Sequence, residues 1–144
     1  MLIRDLLKDK VAITAEAHQT VLEVVRLMVE HKIGAVPVLE DGRLTGIFSE
    51  RDLMTRVVVG GKDAARTPVS EVMTEDPLTV APSDALETCM TLMKRHSFRH
   101  LPVCVRGELT GVVSLRDILL HDLDEKDDEV RMMRAYLHST PDAG

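Results

Sequence analysis

Two short stretches carry the residue types from which a site for a phosphate and a ribose could be built. Gly46-Ile47-Phe48-Ser49-Glu50-Arg51-Asp52 returns as Gly111-Val112-Val113-Ser114-Leu115-Arg116-Asp117, every position displaced by 65 residues. Each copy follows an apolar, strand-like run and precedes a helical one, so its Ser and Asp flank a strand-to-helix turn. Exposed N–H groups and the positive end of the helix dipole make such a turn a place for a phosphate. An Asp three residues after the Ser lies one helical turn on and can accept two hydrogen bonds from a ribose diol. Equally, Ser49 and Ser114 can be plain N-caps, with the Asp residues completing the first turn.

The elements that would position these turns also come twice. Ile3, Leu6 and Leu7 read as a short helix, Lys8-Asp9-Lys10 as a polar break, and Val11-Ala12-Ile13-Thr14 as a short strand. Val21, Val24, Val25 and Met28 recur at i, i+3, i+4 and i+7, a helix with one buried face, which Gly34 would cap. Ala35-Val36-Pro37-Val38-Leu39 is a strand, Asp41-Gly42 a hairpin signal, and Leu44-Thr45-Gly46-Ile47-Phe48 the strand that delivers the first turn. A helix through Leu53, Met54 and Val57 closes the unit. After a linker rich in turn residues, Val69, Val72 and Met73 echo Ile3, Leu6 and Leu7. Leu78-Thr79-Val80 is again a strand, Ser83 or Asp84 a cap, and Leu86, Cys89, Met90 and Met93 an apolar helical face. Leu101-Pro102-Val103, Arg106-Gly107 and Leu109-Thr110-Gly111 repeat the first hairpin, the last to the letter. A unit this short struggles to bury its own sheet, and two copies packed about a pseudo-twofold axis would leave two clefts bordered by both.

Composition narrows the function classes. Aromatic residues are 2% of the 144 and the net charge is −6, a poor match to single strands that need stacking or to a phosphate backbone that needs cations. Cys89 and Cys104 fit no zinc spacing and read as small buried hydrophobes, and His18, His31, His96, His121 and His138 form no ligand set, so no metal is expected. No run reaches 18 apolar residues and Met1–Lys10 lacks a signal-peptide core, so a cytoplasmic protein is expected, with no membrane partner.

With these motifs assembled, the chain resembles a tandem pair of cystathionine-β-synthase-type (CBS) domains, a Bateman module, over about residues 2–121. The resemblance implies an α/β (α+β) fold: two βαββα repeats about a pseudo-twofold axis, followed here by a C-terminal helix. The expected division is repeat 1 at 2–60, a linker at 61–68, repeat 2 at 69–121, the helix at 122–138 and a frayed end at 139–144. It also implies a regulatory ligand containing adenosine, with the Ser of each turn on phosphate and the Asp on the ribose hydroxyls. By that similarity Ser49 and Asp52 face Thr74, Pro77, Leu78, Thr79, Arg99 and His100 in a first cleft. Ser114 and Asp117 face Val11, Ala12, Ile13, Gly34 and Ala35 in a second. Arg51 and Arg116 either add phosphate contacts or make ordinary salt bridges. Arg99 and His100 stand where the first copy has Gly34 and Ala35, which gives dedicated cations to the first cleft alone and favours AMP, ADP or NAD over a triphosphate or a cationic ligand.

The tail adds a stripe of Val130, Met133 and Leu137, which packs on its own chain or on a second copy. Neither a Ser–His–Asp arrangement nor a paired-carboxylate motif stands out, which argues against catalysis. The expectation is a non-catalytic sensor that binds an adenine nucleotide and signals through a homodimer to a regulated protein not identified by sequence. The alternatives are a nucleotide-acting enzyme or a CBS module that binds nucleic acid.

Overall fold

The computed structural model describes residues 1–8 and 10–138, apart from the side chains of Asp124, Asp128 and 136–138. The expected frayed end at 139–144, Asp9 of the polar break and the Leu137 side chain of the tail stripe lie outside the described residues.

Each half is built on one β-hairpin. In the first, β2 (Ala35–Glu40) pairs antiparallel with β3 (Arg43–Ser49); in the second, β5 (His100–Val105) pairs with β6 (Glu108–Ser114). Their two-residue loops carry positive φ at both positions, 52° and 78° at Asp41-Gly42 and 52° and 82° at Arg106-Gly107. That is the turn geometry whose twist matches the flanking strands. The repeated Leu-Thr-Gly has a physical reason. Both hairpins shift register, after Val38 and after Val103, and there Thr45 and Thr110 donate their hydroxyls to the Val38 and Val103 carbonyls at 3.2 and 3.1 Å. The glycines then leave room: a Cβ on Gly46 would collide with Met73, and one on Gly111 would stand 3.0 Å from Leu7.

One long helix covers each hairpin, α2 (Val21–His31) and α4 (Leu86–His96). Val21, Val24 and Met28 are buried in the first; Leu86, Cys89 and Met93 in the second. Met28 and Met93 are therefore core residues, and the outward apolar positions of these helices are Val29 and Met90. Cys89 is fully buried, and desolvation followed by the charge of Asp84 pushes its thiol up to about 11, so it behaves as a small hydrophobe. Left-handed residues Lys32 and Ser97 end the two helices, not Gly34 as the spacing suggests. The cap of α4 is Ala85; the Asp84 carboxylate instead accepts the Ala81 N–H at 2.8 Å.

Two expected strands shrink. The first is β1 (Ala15–Glu16), which runs parallel to β2, whereas Val11 is exposed and 11–14 is irregular. In the second copy the pairing reduces to a single parallel bridge, Val80 with Val103. A further strand, β4 (Thr74–Glu75), pairs with β3, so the sheets are β1-β2-β3-β4 and β5-β6.

The units are exchanged at their beginnings. Ile3 of α1 (Ile3–Leu7) is buried among Val80, Leu86, Cys89, Leu101 and Ile118 of the second core. Val69, Val72 and Met73, around the 3₁₀ turn Val69–Glu71, are buried among Val21, Val24, Val36 and Phe48 of the first. Backbone bonds match in pairs: Ile3 N–H to Asp84 and Leu86 N–H to Met1 in one half, Val69 N–H to Gln19 and Val21 N–H to Thr67 in the other. The segment 61–68 is thus docked on α2, through Thr67 and through the Leu22 N–H on the Ala64 carbonyl.

The helices after the two turns differ. In the first copy α3 (Glu50–Asp52) widens into a π-helical stretch, Leu53–Val58. In the second, α5 runs unbroken over Leu115–His138, so the expected separate helix at 122–138 is its continuation. Val130 and Met133 of the tail stripe are exposed on it.

Candidate functional site

Both Ser residues cap their helices. The Asp52 N–H donates to Ser49 Oγ at 3.3 Å and the Asp117 N–H to Ser114 Oγ at 3.0 Å. Two cavities open beside these turns, each walled by both repeats. The smaller, about 460 Å³, holds Ser49, Arg51, Asp52, Thr74, Pro77 and Leu78 together with Arg99 and His100. The larger, about 1080 Å³, holds Ser114, Arg116 and Asp117 together with Val11, Ala12, Ile13, Gly34 and Ala35. Thr79, expected in the first cleft, is not on its wall. Adjacent residues of an extended chain face opposite ways, and Thr79 lines a separate cavity with Asp76, Asp84, Cys104 and Arg106.

The two carboxylates have different surroundings. Asp52 is only 6% exposed and its oxygens are occupied. They accept the Ser49 N–H at 3.0 Å, the Ser49 hydroxyl at 3.1 Å and the Thr74 hydroxyl at 3.2 Å, and Arg56 Nε lies at 3.6 Å. Arg56 also donates to the Met73 carbonyl at 2.6 Å, which ties the helix to the crossing segment. Asp117 is more open, with Lys10 Nζ 3.0 Å away. Burial would raise its pKa, but hydrogen bonds with Lys10 and Ser114 and the Lys10 charge outweigh that and hold it below the ordinary carboxylate value.

Between the cavities stands a shared wall of Gly34, Ala35, Glu50, Arg99 and His100, which line both. The assignment of Arg99 and His100 to the first cleft alone is therefore corrected. Gly34 and Arg99 are equivalent: the Glu50 N–H donates to the Gly34 carbonyl at 3.0 Å and the Leu115 N–H to the Arg99 carbonyl at 2.8 Å. Burial lowers the His100 pKa, reinforced by Arg99 and opposed by Glu50 and Asp117, which leaves the imidazole neutral near pH 7.

Sequence reasoning missed Arg56, Lys10 and Glu50. Arg56 was signalled by its place four residues after Asp52 on a helix. Lys10 carried no signal, because its carboxylate partner lies across the other repeat. No described helix is long and apolar enough to cross a membrane.

Comparison with known proteins accords with this architecture. The family model described as "CBS domain" matches twice, at residues 3–59 and 69–124. The chain is 36% identical over 124 residues to the CBS domain-containing protein YhcV of Bacillus subtilis, covering 86% of this chain and 87% of that one. Among solved structures, the CBS-domain containing protein ATU1752 from Agrobacterium tumefaciens superposes with a TM-score of 0.78 at 32% identity, covering 85% of this chain and 99% of that one. The CBS domain protein PAE2072 from Pyrobaculum aerophilum, solved complexed with AMP, does so with a TM-score of 0.75 at 27% identity, covering 81% and 89%. With two matched repeats, two hairpins and two inter-repeat cavities in one register, this chain belongs to the CBS-domain family as a tandem pair.

Proposed function

We propose that the protein is a non-catalytic regulatory module that binds an adenosine-containing ligand, AMP, ADP or NAD, in the cavities between its repeats. The observation that carries this reading is the pairing of each capped Ser–Asp turn with a cavity walled by the other repeat and by cations. The AMP complex of PAE2072 supports the choice of ligand class. The larger cavity is the better candidate for first occupancy. Its Asp117 is held by a half-exposed lysine and by its own Ser114 and can turn to a ribose without breaking a contact to a buried partner, whereas Asp52 would have to give up Thr74 and Arg56. Arg116 lies on the same wall, and its guanidinium would meet a phosphate there.

A homodimer that transmits occupancy to a regulated protein completes the proposal. Val29, Leu119, Leu120, Leu123 and Met133 are exposed apolar positions on the long helices, and a second copy would cover them. Calorimetric titration with AMP, ADP, ATP, NAD and S-adenosylmethionine tests the ligand, with AMP, ADP or NAD expected to bind and ATP weaker. Binding of none of them would overturn the reading, and turnover of the bound nucleotide would overturn its non-catalytic part. Sedimentation with and without residues 125–144 tests the assembly; a monomer at all concentrations would remove the dimer.

A further inference from the structure

The cations around the cavities divide into two kinds. Arg51 and Arg116, at equivalent positions of the two turns, line one cavity each, and Lys32 lines the larger alone. Lys10 and Arg56 are committed to Asp117 and Asp52. Among the described residues Arg99 is the one cationic residue common to the walls of both cavities, and no ion pair holds it. Its counterpart across the pseudo-twofold axis is Gly34, which has no side chain to offer. The shared wall holds no second cation, since His100 is kept neutral by burial and Glu50 is acidic.

We infer that the two clefts compete for one guanidinium, Arg99, so that filling one cleft with a phosphate-bearing nucleotide weakens the other. The inference rests on the nucleotide reading above and adds a coupling between its sites. One guanidinium grips one phosphate bidentately. The nucleotide that arrives second meets the wall without Arg99, with the Glu50 carboxylate facing it. A ligand without phosphate makes no demand on Arg99, so the competition belongs to the phosphate and not to the cleft. Coupling of this kind is reciprocal, whichever cleft fills first.

The test is calorimetric titration of the full chain with AMP and with adenosine, comparing the ratio of second to first Kd for each ligand. The two clefts differ intrinsically, and adenosine measures that difference. The AMP ratio is expected to exceed the adenosine ratio by about tenfold, the scale of one charge-assisted contact. In Arg99→Ala, an exposed position at which folding should be retained, the excess is expected to vanish. Equal ratios in the unmodified protein would overturn the competition while leaving the nucleotide reading intact. An excess that persists in Arg99→Ala would also overturn it, because repulsion between two phosphates would then be sufficient cause. Binding of neither ligand would overturn both readings.

Discussion

Asp52 and Asp117 occupy the same place in the same motif, and they are employed differently. Asp52 is a buried junction joining its own turn, the π-helical stretch through Arg56 and the crossing segment through Thr74. Asp117 is a partly open carboxylate held by half-exposed Lys10 and by the Ser114 of its own turn. Duplication preserves the residue and its backbone geometry, while the neighbours decide whether the side chain is bound internally or available. A motif is therefore evidence about the turn first and about ligand contact only after its surroundings are known.

The sharpest way to break this comparison is to delete each carboxylate and measure stability. Asp52→Ala removes the buried acceptor shared by the Ser49 and Thr74 hydroxyls, while half-exposed Arg56 can turn to water, and should cost roughly 1–3 kcal/mol in urea denaturation. Asp117→Ala removes a pair whose lysine is half exposed and should cost less than about 1 kcal/mol. Equal losses would abolish the distinction. Ligand affinity should rank the pair in reverse. Asp117→Ala is expected to weaken AMP in the larger cavity about tenfold, roughly 1.4 kcal/mol, with the fold intact by circular dichroism. An unchanged affinity would remove Asp117 from the ribose.

The smallest effect concerns the wall between the cavities. Burial lowers the His100 pKa in the folded state, so the unfolded chain takes up a proton more readily. The stability this contributes is present above the unfolded value near pH 6.5 and is lost as pH falls through it toward the folded value. His100→Gln should accordingly flatten the dependence of Tm on pH between about 7 and 5. A slope identical to that of the unmodified protein would show that another group titrates there.

Much of this architecture was legible because it is local. Hairpin loops, the i, i+3, i+7 faces of α2 and α4, and the Ser–Asp turns depend on residues a few positions apart. What the sequence hid is non-local. The strand expected at Val11–Thr14 lies further on, at Ala15–Glu16, because the chain meets Val38 and Leu39 there, and a two-residue parallel pairing leaves almost no pattern of its own. Lys32 and Ser97 take left-handed caps that propensity alone would give to glycine. Arg99 and His100 were assigned to one cleft because linear correspondence pairs each turn with one opposing segment; only the three-dimensional wall shows that both clefts use them.

The exchanged beginnings also have a consequence for the order in which the chain is made. Synthesis proceeds from the N-terminus, and domains commonly fold as they emerge. The first core cannot close on residues 15–58 alone, because Val69, Val72 and Met73 fill part of it. Helix α1, made before these segments, has no partner in the second core until Val80, Leu86, Leu101 and finally Ile118 have appeared. Ile3 and Leu7 therefore lack their native partners until the second repeat has been made, and the second core closes only when the start of α5 has followed.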